Sequence, residues 1–170
     1  MVLEAARKDG QTATPDGELV SQDRIEGVRT ARLNPILTGS GVTLEAFRRQ
    51  DAFPDHDPQQ INYCILRPSA RSDWHMHRDQ NDLIIPLSGE VHIGIFDDRE
   101  DSPSQGRSMV VKTSRMRMLA VLVPRGVWHA LKNAGAEEAS YIVLTDRKYI
   151  HADPDDWRLK HQEPALHGIL

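Results

Sequence analysis

The sequence predicts an all-β fold, one domain closed as a barrel or jelly roll. Three observations predict it. Short apolar runs, several with period-two alternation, recur from Ile25 onward; clusters of Gly, Pro, Asp and Ser separate them; and no long stretch carries a clean 3.6-residue period. A length of 170 residues suits one domain with a core that needs no disulfide or metal staple.

Residues 1–24 mix Gly, Pro, Asp, Thr and Gln without a period and are expected to form a loose arm ahead of a barrel domain spanning 25–170. "GVTLEAF" (41–47) is expected as a strand. "INYCILR" (61–67) sets Ile61, Tyr63 and Ile65 on one face and Asn62, Cys64 and Leu66 on the other. "DLIIPL" (82–87) reads as a buried strand whose proline marks a strand end or a bulge. "EVHIGIF" (90–96) alternates Val91, Ile93 and Ile95 with His92, Gly94 and Phe96. "MLAVLVP" (118–124) and "SYIVLT" (140–145) are further strands. "RPSARSD", "LSGE", "DDREDSPSQG", "PRGV" and "KNAGAEE" supply the turns between them. Pro154 and the acids beside it predict a short C-terminal helix over 155–160.

Composition excludes several classes. The net charge is −4, without the basic excess of a nucleic-acid surface. The longest apolar runs, "LIIPL" and "LAVLV", fall far short of the about 20 residues of a spanning helix, so no membrane partner is expected. Cys64 is the single cysteine, which rules out an intramolecular disulfide. With an N-terminus too charged for a secretory signal, a reducing cytoplasm is the expected location.

The chemistry concentrates in "WHMHRDQND", Trp74 to Asp82. Residues i and i+2 of a strand share a face, so His75 and His77 project together. Asp82 follows five residues after His77, and "PRGVWHALKN" (124–133) brings His129 as a third imidazole from another strand. Three imidazoles and a carboxylate suit one divalent first-row ion: zinc, iron, manganese, nickel, cobalt or copper. A site with this few protein ligands keeps positions open for water or substrate.

His75-x-His77, four residues, Asp82, six residues, Gly89 resembles the first cupin motif, with Asp in place of Glu. Pro124-x-Gly126-x-x-His129-x-x-x-Asn133 resembles the second. The leading glycine of each motif is replaced, by Ser69 and Met118. The resemblance implies a cupin double-stranded β-helix of jelly-roll type, with His75, His77, Asp82 and His129 as metal ligands in its mouth. Asp82 is one methylene shorter than the family's Glu; Gln80 is an alternative oxygen donor.

A second resemblance covers roughly residues 25–158. "GEVHIGIFDDREDSPSQG", "VPRGVWHAL" and "YIVLTDRKYIHADPDDW" are similar to stretches of the dTDP-4-dehydrorhamnose 3,5-epimerases, themselves cupins. That family's Arg-Gly-x-His segment reads Ser72-Asp73-Trp74-His75 here, so its phosphate-binding Arg is lost, with Arg71 and Arg78 as replacements. Its Lys before the next strand is Asp82, and its later Asp partner of the catalytic His has no clear match. This resemblance implies His75 as base and Tyr141 or Tyr149 as acid. A metal-bound His75 has no free nitrogen for a proton, so the two readings compete for one residue.

The expected function is a metal-dependent isomerase or epimerase of a small oxygenated, sugar-like substrate, a sugar or a nucleotide sugar, with the metal as Lewis acid. Tyr141, Tyr149 and His92 are the catalytic candidates, with Glu90 as a further base. The alternatives are an iron-dependent cupin dioxygenase and a ligand-binding cupin without turnover. Exposed sheet edges and the family resemblance predict a homodimer. His56, His151, His161 and His167 are expected to be solvated, as is the acidic "DDREDSP" loop apart from an Asp97–Arg99 pair. Trp74 and Trp128 stand beside proposed ligands and by parity face away from them.

Overall fold

Buried strands in the middle of a sandwich need apolar residues on both faces, and this chain supplies them twice. A computed structural model describes residues 10–11, 13–15, 24–49, 51–159, 166 and 168–170. Among these it forms twelve strands and no α-helix: β1 (Arg29–Arg32), β2 (Ile36–Thr38), β3 (Gly41–Thr43), β4 (Gln60–Leu66), β5 (His75–Met76), β6 (Asp82–Ser88), β7 (Glu90–Asp97), β8 (Ser108–Ser114), β9 (Leu119–Val123), β10 (Val127–Asn133), β11 (Ala139–Thr145) and β12 (Trp157–Arg158). Every pairing is antiparallel. One sheet runs β1-β9-β6-β11-β4, the other β12-β5-β10-β7-β8, and β2–β3 stands as a separate hairpin. This is the expected all-β jelly roll. No helix among the described residues is long and apolar enough to cross a membrane.

The inner core lies between the sheets. Ile84, Val91, Ile93, Ile95, Val121, Val123, Val127, Leu131 and Tyr141 meet there. Two outer layers complete the sandwich. Phe53 and the partly buried Ala46 and Phe47 cover Leu83, Ile85, Ala120, Leu122 and Leu144 on the first sheet. Leu166, Leu159, Ile169 and Leu170 cover Trp74, Ala130, Phe96 and Trp128 on the second. The unbroken apolar run of β6 follows from this double cover. Pro86 sits beside a register shift between Ser140 and Tyr141, the irregularity that a proline inside a strand imposes. Ser69, which replaces the first motif's glycine, holds φ +58°, the left-handed conformation that glycine adopts freely.

Several expectations are corrected. The strand expected over 41–47 ends at Thr43; Ala46 and Phe47 instead pack over the first sheet. The helix expected over 155–160 is replaced by β12, because Trp157 and Arg158 pair with Met76 and His75; residue 160 lies outside the described residues. The arm at 1–24 lies mostly outside them too, as do His161 and His167. β8 was not anticipated. His56 is buried rather than solvated, its Nε2 3.0 Å from the Leu144 carbonyl. In the "DDREDSP" loop Asp97 pairs with Arg99 as expected, and Asp98, Glu100 and Asp101 are exposed; only Asp97 itself is fully buried.

Candidate functional site

The site forms where β5 and β10 of the second sheet face the start of β6 in the first. The register pairs His129 with His75, and their ring centroids lie 4.2 Å apart. His77 follows β5, its ring 5.5 Å from His75 and 5.8 Å from His129. Asp82 opens β6, with Oδ2 3.3 Å from His77 Nε2 and 3.5 Å from His129 Nε2. Two backbone devices bring the motifs together. Gly126 holds φ +79°, and its N–H donates to the His77 carbonyl at 2.6 Å. Asn81 accepts from the Arg125 N–H at 3.0 Å, while its own N–H donates to Asp146 at 2.8 Å.

Each histidine is anchored at Nδ1 by a backbone carbonyl: His75 by Asp73 (3.1 Å), His77 by Asp155 (2.5 Å) and His129 by Val127 (3.2 Å). A carbonyl only accepts, so Nδ1 carries a proton in all three rings; Nε2 is then the nitrogen that each ring turns to the cluster, as a lone pair in the neutral form and as a donor to Asp82 where the ring is protonated. The three Nε2 atoms and Asp82 converge; one ligand atom from each of the four residues lies within 4.8 Å of the others. His129 Nε2 is buried without a hydrogen-bond partner. Gln80 Nε2 donates to Asp82 Oδ1 at 2.8 Å, so the Gln80 amide acts here as a donor to the carboxylate.

The charges are set by burial against contacts. Burial, with His129 nearby, lowers the His75 pKa to about 3, so its ring is neutral at physiological pH. Burial pulls His77 down as well, but the hydrogen bond and charge of Asp82 and the Asp155 carbonyl outweigh it, and its pKa ends above the ordinary value. Burial raises Asp82, yet His129 and His77 more than compensate and hold it well below the usual carboxylate range. The cluster is thus a carboxylate facing three anchored imidazoles.

These residues fit a first-row ion. Nitrogen and oxygen ligands bind such an ion at about 2.1 Å, which puts donors on opposite sides about 4 Å apart, close to the observed spread. The neutral His75, the ionised Asp82 and the unpartnered His129 Nε2 are in the protonation and hydrogen-bonding states that ligands need.

The other sequence candidates are placed as follows. Tyr141 lies in the inner core, opposite Cys64 in the strand register, and burial pushes its phenol pKa up, so it stays protonated. Tyr149 is half exposed and lines a cleft of about 300 Å³ together with His77, Arg78, Arg147, Asp155 and Trp157. His92 does not join the cluster. Its strand neighbours Val91 and Ile93 belong to the inner core, so parity turns His92 outward, where Nε2 meets Glu90 at 2.7 Å. Glu90 is outside for the same reason. Arg78 lies over the Trp157 ring at 3.6 Å, and the backbone of Arg71 pairs with that of Lys132 in an isolated antiparallel bridge. Trp74 and Trp128 pack in the outer layer of the second sheet, as parity requires.

Asp155 is the residue that the sequence reading missed. Its carboxylate accepts from the N–H groups of Arg78 (3.0 Å) and Asp79 (2.7 Å), and its carbonyl holds His77. The acidic "DPDD" was visible as helix-start chemistry; no local signal marked it as a clamp on a turn 76 residues earlier in the chain.

Known proteins share this arrangement of strands. The chain is 30% identical over 122 residues to a protein of Haloferax volcanii named probable low-salt glycan biosynthesis epimerase Agl13, covering 71% of this chain and 78% of that one. It is 26% identical over 142 residues to the spore coat polysaccharide biosynthesis protein SpsL of Bacillus subtilis, covering 84% and 93%. The fold matches that of a dTDP sugar isomerase from Desulfovibrio desulfuricans with a TM-score of 0.77 at 23% identity, over 84% of this chain and 90% of the other. Residues 40–159 match the family described as FdtA: WxcM-like, C-terminal. This chain is therefore a cupin that belongs to the FdtA, WxcM-like C-terminal family.

Proposed function

We propose that this chain is an isomerase or epimerase of a carbonyl sugar, presented as a nucleotide sugar, and that it works at the cluster of His75, His77, Asp82 and His129. The observation that carries the reading is the convergence of three Nε2 atoms, each fixed by an Nδ1 anchor, on one buried carboxylate. The names of two relatives support the class: one is a probable glycan biosynthesis epimerase, the other a dTDP sugar isomerase.

Moving a carbonyl or inverting a centre beside it requires a proton to leave carbon while negative charge grows on the carbonyl oxygen. A divalent ion held by His75, His77, Asp82 and His129 would supply Lewis-acid stabilisation of that charge. Tyr141 is the proton donor on the core side, since its phenol remains protonated. His75 is a poor base, with a pKa far below the operating pH. A second reading follows from His77: its Nδ1 is fixed by Asp155, its Nε2 faces Asp82, and its pKa is raised. In a metal-free cluster His77 takes the substrate proton at Nε2 and Asp82 stabilises the imidazolium. The base then moves from His75 to His77.

One experiment separates these. Metal content of tag-free protein is measured by plasma mass spectrometry beside a His75→Ala/His77→Ala variant, and both are incubated with 4-keto nucleotide sugars, ketoses and aldoses in D₂O. One ion per chain, absent from the variant, with chelator-sensitive deuterium uptake, is the expected result. Uptake without an ion selects His77 as the base. No deuterium in any substrate removes the isomerase reading, and oxygen uptake by iron-loaded protein then tests a dioxygenase. The assembly we propose is a homodimer in the cytoplasm.

A further inference from the structure

We propose that Gln80 is a specificity-determining residue of this site: its amide oxygen accepts a hydrogen bond from a hydroxyl of the sugar while its amide nitrogen holds Asp82. The inference rests on the isomerase or epimerase reading above and adds a chemical demand on the substrate, a hydroxyl donor near its carbonyl. It holds with or without an ion in the cluster.

Gln80 is pinned from both sides. Just before it, the N–H groups of Arg78 and Asp79 donate to the Asp155 carboxylate. Just after it, Asn81 donates through its own N–H to Asp146 and accepts from the Arg125 N–H. Between these fixed neighbours the side chain reaches Asp82, and Nε2 donates to Oδ1 at 2.8 Å. That bond settles which way round the amide sits. A carboxylate accepts and does not donate, so the nitrogen faces Asp82 and the oxygen faces away from it.

The oxygen has work left to do. Oε1 has no hydrogen-bond partner among the described residues, and it is not one of the enclosed polar atoms left without one. It therefore opens to solvent. The open space that Gln80 lines is the cleft of about 300 Å³ that it shares with His77 and Tyr149. One side chain thus touches both the buried carboxylate of the cluster and the cleft beside it. A lysine or an arginine would hold Oδ1 as well, but would turn further donors to the cleft; the amide turns an acceptor to it. The acids that share the lining are engaged elsewhere. Asp155 is taken up by two N–H groups and Trp157 Nε1, and Asp156 pairs with Arg158 at 3.5 Å.

An acceptor selects a donor. A carbonyl oxygen or a phosphate brings lone pairs and is turned away from Oε1; a hydroxyl brings a proton. This orients a keto sugar: its carbonyl oxygen goes to the histidine cluster, where growing charge is stabilised, and a hydroxyl goes to Gln80. Exposure sets the size of the effect. A sealed acceptor that loses its partner costs its full desolvation, and such sites reject a missing hydroxyl by about 10⁴-fold or more. Gln80 is half-buried, and water replaces the hydroxyl when the sugar lacks one. The net worth of one neutral hydrogen bond is then at stake, about 5–10-fold.

The test is a ratio measured on the full chain. The kcat/KM for deuterium exchange is determined for wild type and Gln80→Met on a 4-keto nucleotide sugar and on its 2-deoxy and 3-deoxy analogues. With wild type, one deoxy analogue is expected to be about 5–10-fold poorer than the parent sugar. With Gln80→Met the preference should shrink to within about two-fold. General destabilisation, or a loosened Asp82, slows parent and analogue alike, so the ratio isolates the hydroxyl contact. Where Gln80→Met does not fold, Gln80→Asn takes its place, its amide one methylene short of the span. Equal rates on all three sugars with wild type, or a preference that the variant keeps, overturn the inference and leave the reaction standing. Calorimetric binding of the same sugars separates the two claims in the other direction. A binding preference that the variant loses, without deuterium in any sugar, supports the contact and removes the reaction. Neither binding nor exchange overturns both.

Discussion

Asp97 and Asp82 are both buried carboxylates in the same sandwich, and their surroundings differ. Asp97 accepts from Arg99 Nε (2.8 Å), Arg99 Nη2 (2.9 Å), the Arg99 N–H (3.1 Å), Ser102 Oγ (2.5 Å) and Ser104 Oγ (2.6 Å). Its pKa falls well below the ordinary value, because these donors overcome the burial that raises it. Asp82 has one short hydrogen bond, from Gln80, and two imidazole nitrogens beyond 3.2 Å. Saturated donors make a buried charge structural, since nothing is left to bind. A buried carboxylate facing rings with spare lone pairs is stable only as part of a set that something else completes: a proton, an ion or a substrate. Depressed pKa values alone do not tell the two apart; the tally of unused donors and acceptors does.

The largest expected effect is on turnover. Asp82→Ala should lower deuterium uptake by about 10²–10⁴-fold, the range of a positioned acid–base or ligand group, while moving Tm by less than about 3 °C. An equal fall in Tm would make Asp82 structural and break the contrast. Asp97→Ala should do the reverse. It strands Arg99 and two hydroxyls, at a cost of about 3 kcal/mol, or about 6–12 °C in Tm for a domain of this size. Uptake per folded molecule should stay within about two-fold. A calorimetric scan and a rate on each variant decide both.

The same contrast explains what the sequence made legible. The fold was readable because apolar alternation and turn clusters are local. The four-residue cluster was readable because HxH spacing and strand parity fix direction. Parity also placed Trp74 and Trp128, but left the face of His92 open, since alternation does not say which side is in. The Asp97–Arg99 pair was legible from the two-residue spacing of opposite charges; the burial of Asp97 under Ser102 and Ser104 and the burial of His56, read as solvated because its flanks are polar, depend on contacts that local sequence does not encode. The Asp155 clamp was invisible for the same reason. The strand expected over 41–47 failed because its later residues cap a sheet instead of joining one.

The pH dependence of the metal-stripped protein sharpens the comparison at a smaller scale. His75 falls to about 3 in the fold and returns to about 6.5 unfolded. The unfolded chain therefore binds the extra proton between these values, and stability is lost as pH falls from about 6.5 towards 3. The slope has an upper limit of about 1.4 kcal/mol per pH unit. Asp82 and Asp97, depressed in the fold, add losses only below about pH 4, where the unfolded carboxylates protonate. Denaturant melts at pH 6.5 and 5.0 should therefore separate wild type from His75→Gln, which loses most of the slope. An unchanged slope would mean that His75 is solvated in the free protein.

The smallest effect belongs to Asp155, which lies between the two extremes. Its carboxylate is satisfied, like that of Asp97, by Arg78 N–H, Asp79 N–H and Trp157 Nε1, yet it borders the open cluster through the carbonyl that holds His77. Asp155→Ala removes the side-chain acceptors and leaves that carbonyl. The turn after His77 then loses its clamp while the Nδ1 anchor survives in a looser position. The expected loss is about 3–10-fold in kcat/KM, roughly 1 kcal/mol, with partial recovery in Asp155→Asn, which keeps one acceptor oxygen. Nitrogen-15 spectra of the histidine rings separate positioning from simple destabilisation. In wild type His77 should show a single Nδ1–H tautomer, and in Asp155→Ala a mixture, with His129 unchanged because its anchor is Val127. A uniform shift of all three rings would instead mean that the loss of Asp155 loosens the whole barrel mouth.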